Sequence, residues 1–443
     1  MAVGVQGDKN TSVTGIDFDV IIVGAGFAGM YMLHRMRRMG LKAIVFEAGS
    51  GVGGTWFWNR YPGARCDVES VQYSYQFDKE LEQEWTWSEK YSPQPEILKY
   101  ANHVADRFKL REDICFNTRI KSSIYDEDKT QWEIITDQGD IYRSSFCVFA
   151  TGCLSSFNLP RFEGMDDFSG ASYHTGQWPH QGVDFSDLRV GVIGTGSSAI
   201  QSIPEIAKQA KHLTVFQRTA NYTIPARNAK LEEDYVRAVK DDYAGLRERA
   251  RKKPAGYDIP LNPQSVLEVT KEEFTSEFQA RWEKGGTQFL GAYGDLLLKP
   301  EANEKAAEFV KGMIRNTVDD PVVAELLCPT NIIGCKRLCV DTDYYKTYNR
   351  PNVRLVDVSQ IPIDRITSAG VAHNGIEFEF DAIVFATGFD AMTGALFNID
   401  IRGRDGRSLQ EKWNGGPQTY LGLTTNGFPN MFTITGPGSP SVL

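Results

Sequence analysis

The stretch Asp19-Val20-Ile21-Ile22-Val23-Gly24-Ala25-Gly26-Phe27-Ala28-Gly29 decides the fold. Val20 to Val23 is an unbroken β-branched run, the composition of a strand buried on both faces. Beyond the glycines, Met30 to Met39 reads as a helix closed by Gly40, and Leu41 to Phe46 as a second strand ending at Glu47. The whole is one strand–helix–strand unit with a glycine turn at its first corner. Gly24 permits the tight turn, Gly26 lets a pyrophosphate reach backbone N–H groups, and Gly29 lets helix and strand approach. Glu47 stands about twenty residues further on, at the end of the second strand, where a carboxylate accepts the hydroxyls of an unphosphorylated ribose. These residues, with Phe27 and Ala28 in the turn, are read as holding the adenosine half of FAD.

A second unit of the same kind begins at Arg189. Val190 to Ile193 makes the strand and Gly194-Thr195-Gly196-Ser197-Ser198-Ala199 the turn. Ile200, Ile203, Ile206, Ala207 and Ala210 give the helix an apolar face, and Leu213 to Gln217 forms the next strand. Alanine takes the third glycine position. This strand ends in Arg218-Thr219 in place of an acid, which removes a repulsion and supplies donors to a 2′-phosphate, so the unit is read as binding NADP(H). Arg218 as a surface charge without a role is the competing reading.

Between Lys230 and Cys328 the pattern becomes helical. Leu231, Tyr235, Val239, Tyr243 and Leu246 recur at helical steps, and Thr270-Lys271-Glu272-Glu273 has the form of a capping box ahead of Phe274, Phe278 and Trp282. Ala306, Phe309, Val310 and Met313 mark another helix. Strand-like segments resume at Val353 to Val356, Ile383 to Phe385 and Met431 to Ile434. The expected class is therefore α/β, with two doubly wound, Rossmann-like dinucleotide-binding domains and a helical insertion. The expected division is an FAD domain over 17–150 and 379–443, an NADP domain over 151–228 and 329–378, and the insertion over 229–328.

Composition limits the function. A net charge of −9 argues against nucleic acid as a partner. No apolar run approaches the ~18 residues of a membrane span. The polar segment 1–15 lacks the apolar core of a secretory signal and is read as a leader. Seven cysteines without a C-x-x-C pair suggest neither a disulfide framework nor a metal site, and a reducing cytoplasmic location is expected.

Two dinucleotides in one chain imply electron transfer between them. A disulfide reductase would need a redox C-x-x-C, and Cys335 and Cys339 are one residue too far apart. Dioxygen or a small organic acceptor is left. At this point Phe168-Ser169-Gly170-Ala171-Ser172-Tyr173-His174-Thr175-Gly176-Gln177-Trp178-Pro179 resembles the F-x-G-x-x-x-H-x-x-x-W-[PD] fingerprint of Baeyer–Villiger monooxygenases. Gly53-Gly54-Thr55-Trp56 through Arg65-Cys66-Asp67 is similar to that family's flavin-side loop, Lys336-Arg337 to its basic pair, and Phe385 to Asp390 to its second linker.

The resemblance implies that NADPH reduces FAD, that dioxygen adds to the reduced ring as a peroxide anion, and that attack on a small ketone gives an ester or lactone. It also implies that Arg337 is the cation stabilising anionic oxygen, with Asp67 holding its guanidinium. Gly54, Thr55, Trp56, Asp67 and Tyr73 would join the FAD site. Arg65, Ser197, Ser198, Gln201, Lys336 and Arg337 would join Gly194, Thr195, Gly196, Arg218 and Thr219 on NADP. Phe168, Gly170, His174 and Trp178 would form the linker between domains.

Other readings stand beside these. Arg337 could be a plain surface charge, Asp67 an ion-pair partner only, and His174 a residue satisfied by backbone hydrogen bonds. Trp56 and Trp178 could be core aromatics or could face a cofactor. At the level of function the rivals are a flavin monooxygenase that oxidises nitrogen or sulfur, and an inactive nucleotide-binding protein. The chain stops at Leu443 just after a glycine turn, and is read as a partial sequence of an active, monomeric enzyme.

Overall fold

The computed structural model describes residues 15–439, so all but Gly15 of the leader read at 1–15 and the last residues, Pro440 to Leu443, lie outside it. The described chain divides into two compact units. The first takes 15–54, Ala105–Cys153 and 391–439, and the second Thr55–Val104 and Leu154–Asp390.

The first unit is built on an eight-stranded sheet. Its order runs Asp400–Arg402, Ile120–Asp126, Gln131–Thr136, Ile141–Phe149, Phe18–Val23, Ala43–Phe46, Ile114–Cys115, with Met431–Thr433 also pairing with Ile141–Phe149. The nine-residue strand Ile141–Phe149 makes this possible. One edge runs parallel to Phe18–Val23. On the other edge, residues 141–144 pair antiparallel with Gln131–Thr136, and residues 147–149 pair parallel with Met431–Thr433. One long strand thus joins an antiparallel meander to a parallel nucleotide-binding sheet. Ile21, Phe46, Trp132, Ile134, Phe149 and Met431 are among the side chains that fill its core. The first helix spans Phe27–Arg38, with Gly26 as its extended N-cap. It therefore starts three residues before the expected Met30, because the turn glycine itself ends the loop. Gly40 follows the helix with φ +76°, the left-handed position that closes it.

The second unit carries a five-stranded sheet, ordered Val353–Asp357, His212–Gln217, Arg189–Ile193, Ala382–Phe385, Ala171–His174, with every pair parallel. Helix Ser197–Gln209 follows the second glycine turn. The predicted helical region forms Glu233–Asp241, Tyr243–Arg251, Lys271–Lys284, Pro300–Thr317 and Pro321–Leu327. The first periodic run is broken at Asp242, whose carboxylate caps the second of these helices through Gly245 N. The Thr270–Glu273 capping box is present with both of its bonds. Phe278 packs on Phe309 at 5.2 Å and lies in one continuous core with Val190, Ile203 and Val215. The helical region and the second sheet therefore share a core.

The α/β class with two parallel-stranded nucleotide folds agrees with the sequence. Two boundaries differ. Residues 55–104 belong to the second unit, whereas the expected FAD domain ran from 17 to 150. Ala382–Phe385 pairs with Arg189–Ile193 and Ala171–His174, so this strand belongs to the second sheet although the expected boundary stood at 379. A strand joins the sheet whose edge its backbone can pair, and strand composition alone carries no record of that choice.

Candidate active site and nucleotide cradles

The two glycine turns are built alike. Gly24 N donates to Phe46 O at 2.8 Å, and Gly194 N to Phe216 O at 3.1 Å. Gly24 has φ +103° and Gly194 φ +112°, and a Cβ on either would lie 2.6 or 2.5 Å from the carbonyl of Ala150 or Ala386. Those two alanines stand second in matching segments, Phe149-Ala150-Thr151-Gly152 and Phe385-Ala386-Thr387-Gly388. The part played by Ala150 was missed in the sequence, although the Phe-Ala-Thr-Gly repeat was a signal that could have found it.

In the first unit a Cβ on Gly29 would sit 1.8 Å from Gly24 O, and one on Gly54 2.8 Å from Gly26 Cα. Both are close backbone approaches that only glycine allows. Glu47 is buried, and its two carboxylate oxygens accept from Ala25 N and Gly49 N, each at 2.7 Å. Each oxygen keeps a lone pair, so the carboxylate is fixed in place and still able to accept ribose hydroxyls. A glycine-lined turn with a fixed acid suits an unphosphorylated adenosine, and the residues present fit FAD.

In the second unit the third turn position is Ala199, fully buried with its methyl group accommodated. A Cβ on Gly196 would meet nothing within 4 Å, which leaves open space against the N-terminus of helix Ser197–Gln209. Thr195 Oγ1 donates to Thr219 O at 2.8 Å, tying the turn to the end of the next strand. Ser198 Oγ shares a 3.0 Å hydrogen bond with the buried Thr175 Oγ1. Arg218, Thr219 and Lys336 are exposed, and neither Arg218 nor Lys336 has a carboxylate partner among the described residues. Arg218, an unpaired cation just past the strand His212–Gln217, together with an open glycine turn fits a 2′-phosphorylated dinucleotide.

Asp67 and Arg337 meet in the second unit as a two-pronged pair. Arg337 Nε donates to Oδ2 and Nη2 to Oδ1, both at 2.8 Å. The carboxylate holds the guanidinium pKa above its ordinary value through these bonds, so its positive charge is permanent. The Asp67 side chain is 13% exposed and Arg337 54% exposed, so the arginine is fixed yet open on one side. The thiols beside this pair, Cys66 and Cys339, are buried. Burial pushes Cys66 up to about 12 and Cys339 to about 11. All seven cysteines are free.

Arg65 is engaged within the protein. Its Nη1 donates to Glu89 Oε2 at 2.7 Å and to Tyr91 O at 2.6 Å. Gln201 also has its amide engaged, with Tyr61 and the Arg65 backbone. Thr55 opens the short helix Thr55–Trp58, and Trp56 Nε1 donates to Tyr73 OH at 2.9 Å.

With this geometry in hand, comparison with known proteins is informative. A family model described as pyridine nucleotide-disulphide oxidoreductase matches residues 21–244. The chain is 42% identical to a Baeyer–Villiger monooxygenase of Pseudooceanicola batsensis over 98% of its own length and 80% of the relative's. The chain belongs to the Baeyer–Villiger monooxygenase family. A phenazine N-monooxygenase of Lysobacter antibioticus is also 42% identical, over 95% of this chain and 78% of that one. The solved structure of an oxidized steroid monooxygenase bound to NADP superposes with a TM-score of 0.93 at 54% identity, covering 96% of this chain and 82% of that one.

The Baeyer–Villiger fingerprint lies wholly within the second unit. Trp178 is buried and packs against Tyr173 and Phe185 in the main core, the core-aromatic reading of that residue. A Cβ on Gly170 would lie 2.5 Å from both Asp381 O and the Phe168 ring, so Gly170 admits that ring. His174 is buried, its Nδ1 accepting from Gly176 N at 3.0 Å and its Nε2 lying 3.2 Å from Thr387 Oγ1. Burial lowers its pKa. Thr387 Oγ1 in turn donates to Asn158 O at 2.6 Å, where 156–158 pairs with 388–390. The family histidine thus pins two chain segments together inside this unit. Among the described residues no helix is long and apolar enough to cross a membrane, and no group of three or more His, Cys, Asp or Glu could hold a metal.

Proposed function

We propose that this family member uses FAD, NADPH and dioxygen to convert a small ketone into an ester or lactone, with Arg337 as the stabilising cation and Asp67 as its holder. The observation that carries the reading is the Asp67–Arg337 fork in the same unit as an open glycine turn with unpaired cations. When bound, NADPH supplies hydride and FAD supplies activated oxygen for transfer to the carbonyl.

The remaining chemistry falls to the chain. Gly24, Gly26, Gly29, Gly54 and Glu47 hold FAD. Gly194, Thr195, Gly196, Ser197 and Ser198 hold the pyrophosphate of NADPH, and Arg218, Thr219 and Lys336 hold its 2′-phosphate. Each charged phosphate contact of this kind contributes roughly 1.5–3 kcal/mol. Arg337 presents a fixed, permanently charged donor to the oxyanion that develops as the ketone carbonyl is attacked. Asp67 keeps it from swinging away through the two-pronged pair. The seven free thiols suit a reducing compartment such as the cytoplasm.

The experiment is NADPH oxidation in air by FAD-loaded protein, with and without phenylacetone, with ester and hydrogen peroxide both quantified. Ester formation in step with NADPH use supports the reading, and NADPH use giving peroxide alone counts against it for that ketone. The similarity to a phenazine N-monooxygenase favours one second reading, oxidation of a ring nitrogen. A phenazine in place of the ketone tests it, since an N-oxide and an ester differ in product mass.

A further inference from the structure

The segment leading into Asp67 is held on both edges, and one edge is supplied by a side chain. On the first, Cys66 N donates to Ser92 O at 3.1 Å and Gln94 N to Ala64 O at 2.8 Å. This is an antiparallel bridge centred on Arg65 and Pro93. In extended backbone the polar groups of successive residues point to opposite edges. The N–H and C=O of Arg65 therefore face away from that bridge, where another strand would normally pair with them. Gln201 takes that place. Its Oε1 accepts from Arg65 N at 3.4 Å, and its Nε2 donates to Arg65 O at 3.0 Å, so one carboxamide pairs with a residue as a neighbouring peptide would.

The same Oε1 accepts from Tyr61 OH at 2.8 Å. Gly63 lies against the helix so closely that a Cβ there would stand 2.2 Å from Gln201 O. Gln201 sits in the first turns of Ser197–Gln209, the helix whose N-terminus opens on the second glycine turn. Asp67 is two residues beyond the clamped Arg65.

We propose that Gln201 is a positioning residue that fixes the 61–67 segment to the glycine-turn helix and so sets where Asp67 holds Arg337. This rests on the Asp67–Arg337 reading above and adds the element that ties that pair to the nucleotide cradle. With its carboxamide engaged by Tyr61 and Arg65, Gln201 acts through Asp67 and not as a ligand of the dinucleotide.

The test uses FAD-loaded full chain. Gln201→Met keeps the length of the side chain and removes all three hydrogen bonds. Gln201→Glu keeps the acceptor for Tyr61 and Arg65 N and loses the donor to Arg65 O. Three quantities are read: amide hydrogen exchange of peptides covering 61–67, the dissociation constant of NADP+, and the share of oxidised NADPH recovered as ester. Gln201→Met should raise exchange in 61–67 by about tenfold, as one protecting bond is lost. It should also cut the ester share on the order of tenfold, since a misplaced catalytic group costs that much or more. NADP+ binding should change by less than about twofold, and Gln201→Glu should fall between Gln201→Met and wild type. Adding Asp67→Ala to Gln201→Met should lower the ester share no further than Asp67→Ala alone.

Faster exchange with an unchanged ester share would reduce Gln201 to a fold contact and overturn the proposal. Unchanged exchange with much weaker NADP+ binding would make it a nucleotide ligand and do the same. If Asp67→Ala alone leaves the ester share intact, the Asp67–Arg337 reading has failed and takes this one with it. That outcome is seen in a different variant and so is told apart.

Discussion

Asp67 accepts both arms of the Arg337 fork at 2.8 Å, although the two residues stand 270 positions apart in the chain. A planar guanidinium held in two places cannot rotate, and its unbonded edge keeps one orientation. Lysine offers a point charge without that fork.

Arg337→Lys should therefore keep NADPH oxidation while losing most of the ester, with hydrogen peroxide rising to match. A loss on the order of 10²-fold in ester-forming turnover is expected for one missing oxyanion donor. Gas chromatography of the product beside absorbance at the NADPH band checks it. Full ester yield from the lysine variant would remove Arg337 from the role.

The two glycine turns should respond differently to a single methyl group. Gly29→Ala places a Cβ 1.8 Å from a backbone carbonyl and should lower both thermal stability and bound FAD. Gly196→Ala meets no protein atom within 4 Å, so it should fold normally and raise the KM for NADPH. Melting temperature, flavin content and KM separate the two. Equal destabilisation by both would show that the second turn has no open face.

Arg218→Ala should act on the 2′-phosphate alone. Loss of one charged hydrogen bond predicts roughly a 10- to 100-fold rise in KM for NADPH. The value for NADH, which lacks that phosphate, should barely change. Parallel loss with both nucleotides would move Arg218 away from the phosphate.

His174 gives a pH signature. Burial lowers its folded pKa below the ordinary value near 6.5, so between that lower value and 6.5 the unfolded chain binds the extra proton. Its contribution to stability is complete above about pH 6.5 and is lost as pH falls through the folded pKa. Denaturant unfolding at several pH values from 7.5 downward should show a shallower acid decline in His174→Gln than in wild type. Identical slopes would mean that His174 titrates normally when folded.

Much of this was legible locally. Val20 to Val23 with Gly24, Gly26 and Gly29, and Val190 to Ile193 with Gly194 and Gly196, specify a turn through steric limits that act within a few residues. The Thr270 capping box and the Phe278–Trp282 face are equally short-range. Arg65 and Gln201 were expected on the nucleotide because their place in the motifs shows residue type and spacing, whereas their bonds to Glu89, Tyr91 and each other involve residues brought close only by folding.

The sequence by itself determined the two nucleotide turns and the family, because each is written in neighbouring residues. Only the tertiary structure decided that 55–104 joins the second unit, that Ala382–Phe385 completes its sheet, and that Gln201 pairs with the backbone of Arg65. The reason is physical. Strand edges and amide groups are alike from one residue to the next, and which of them meet is settled by the packing of the whole core.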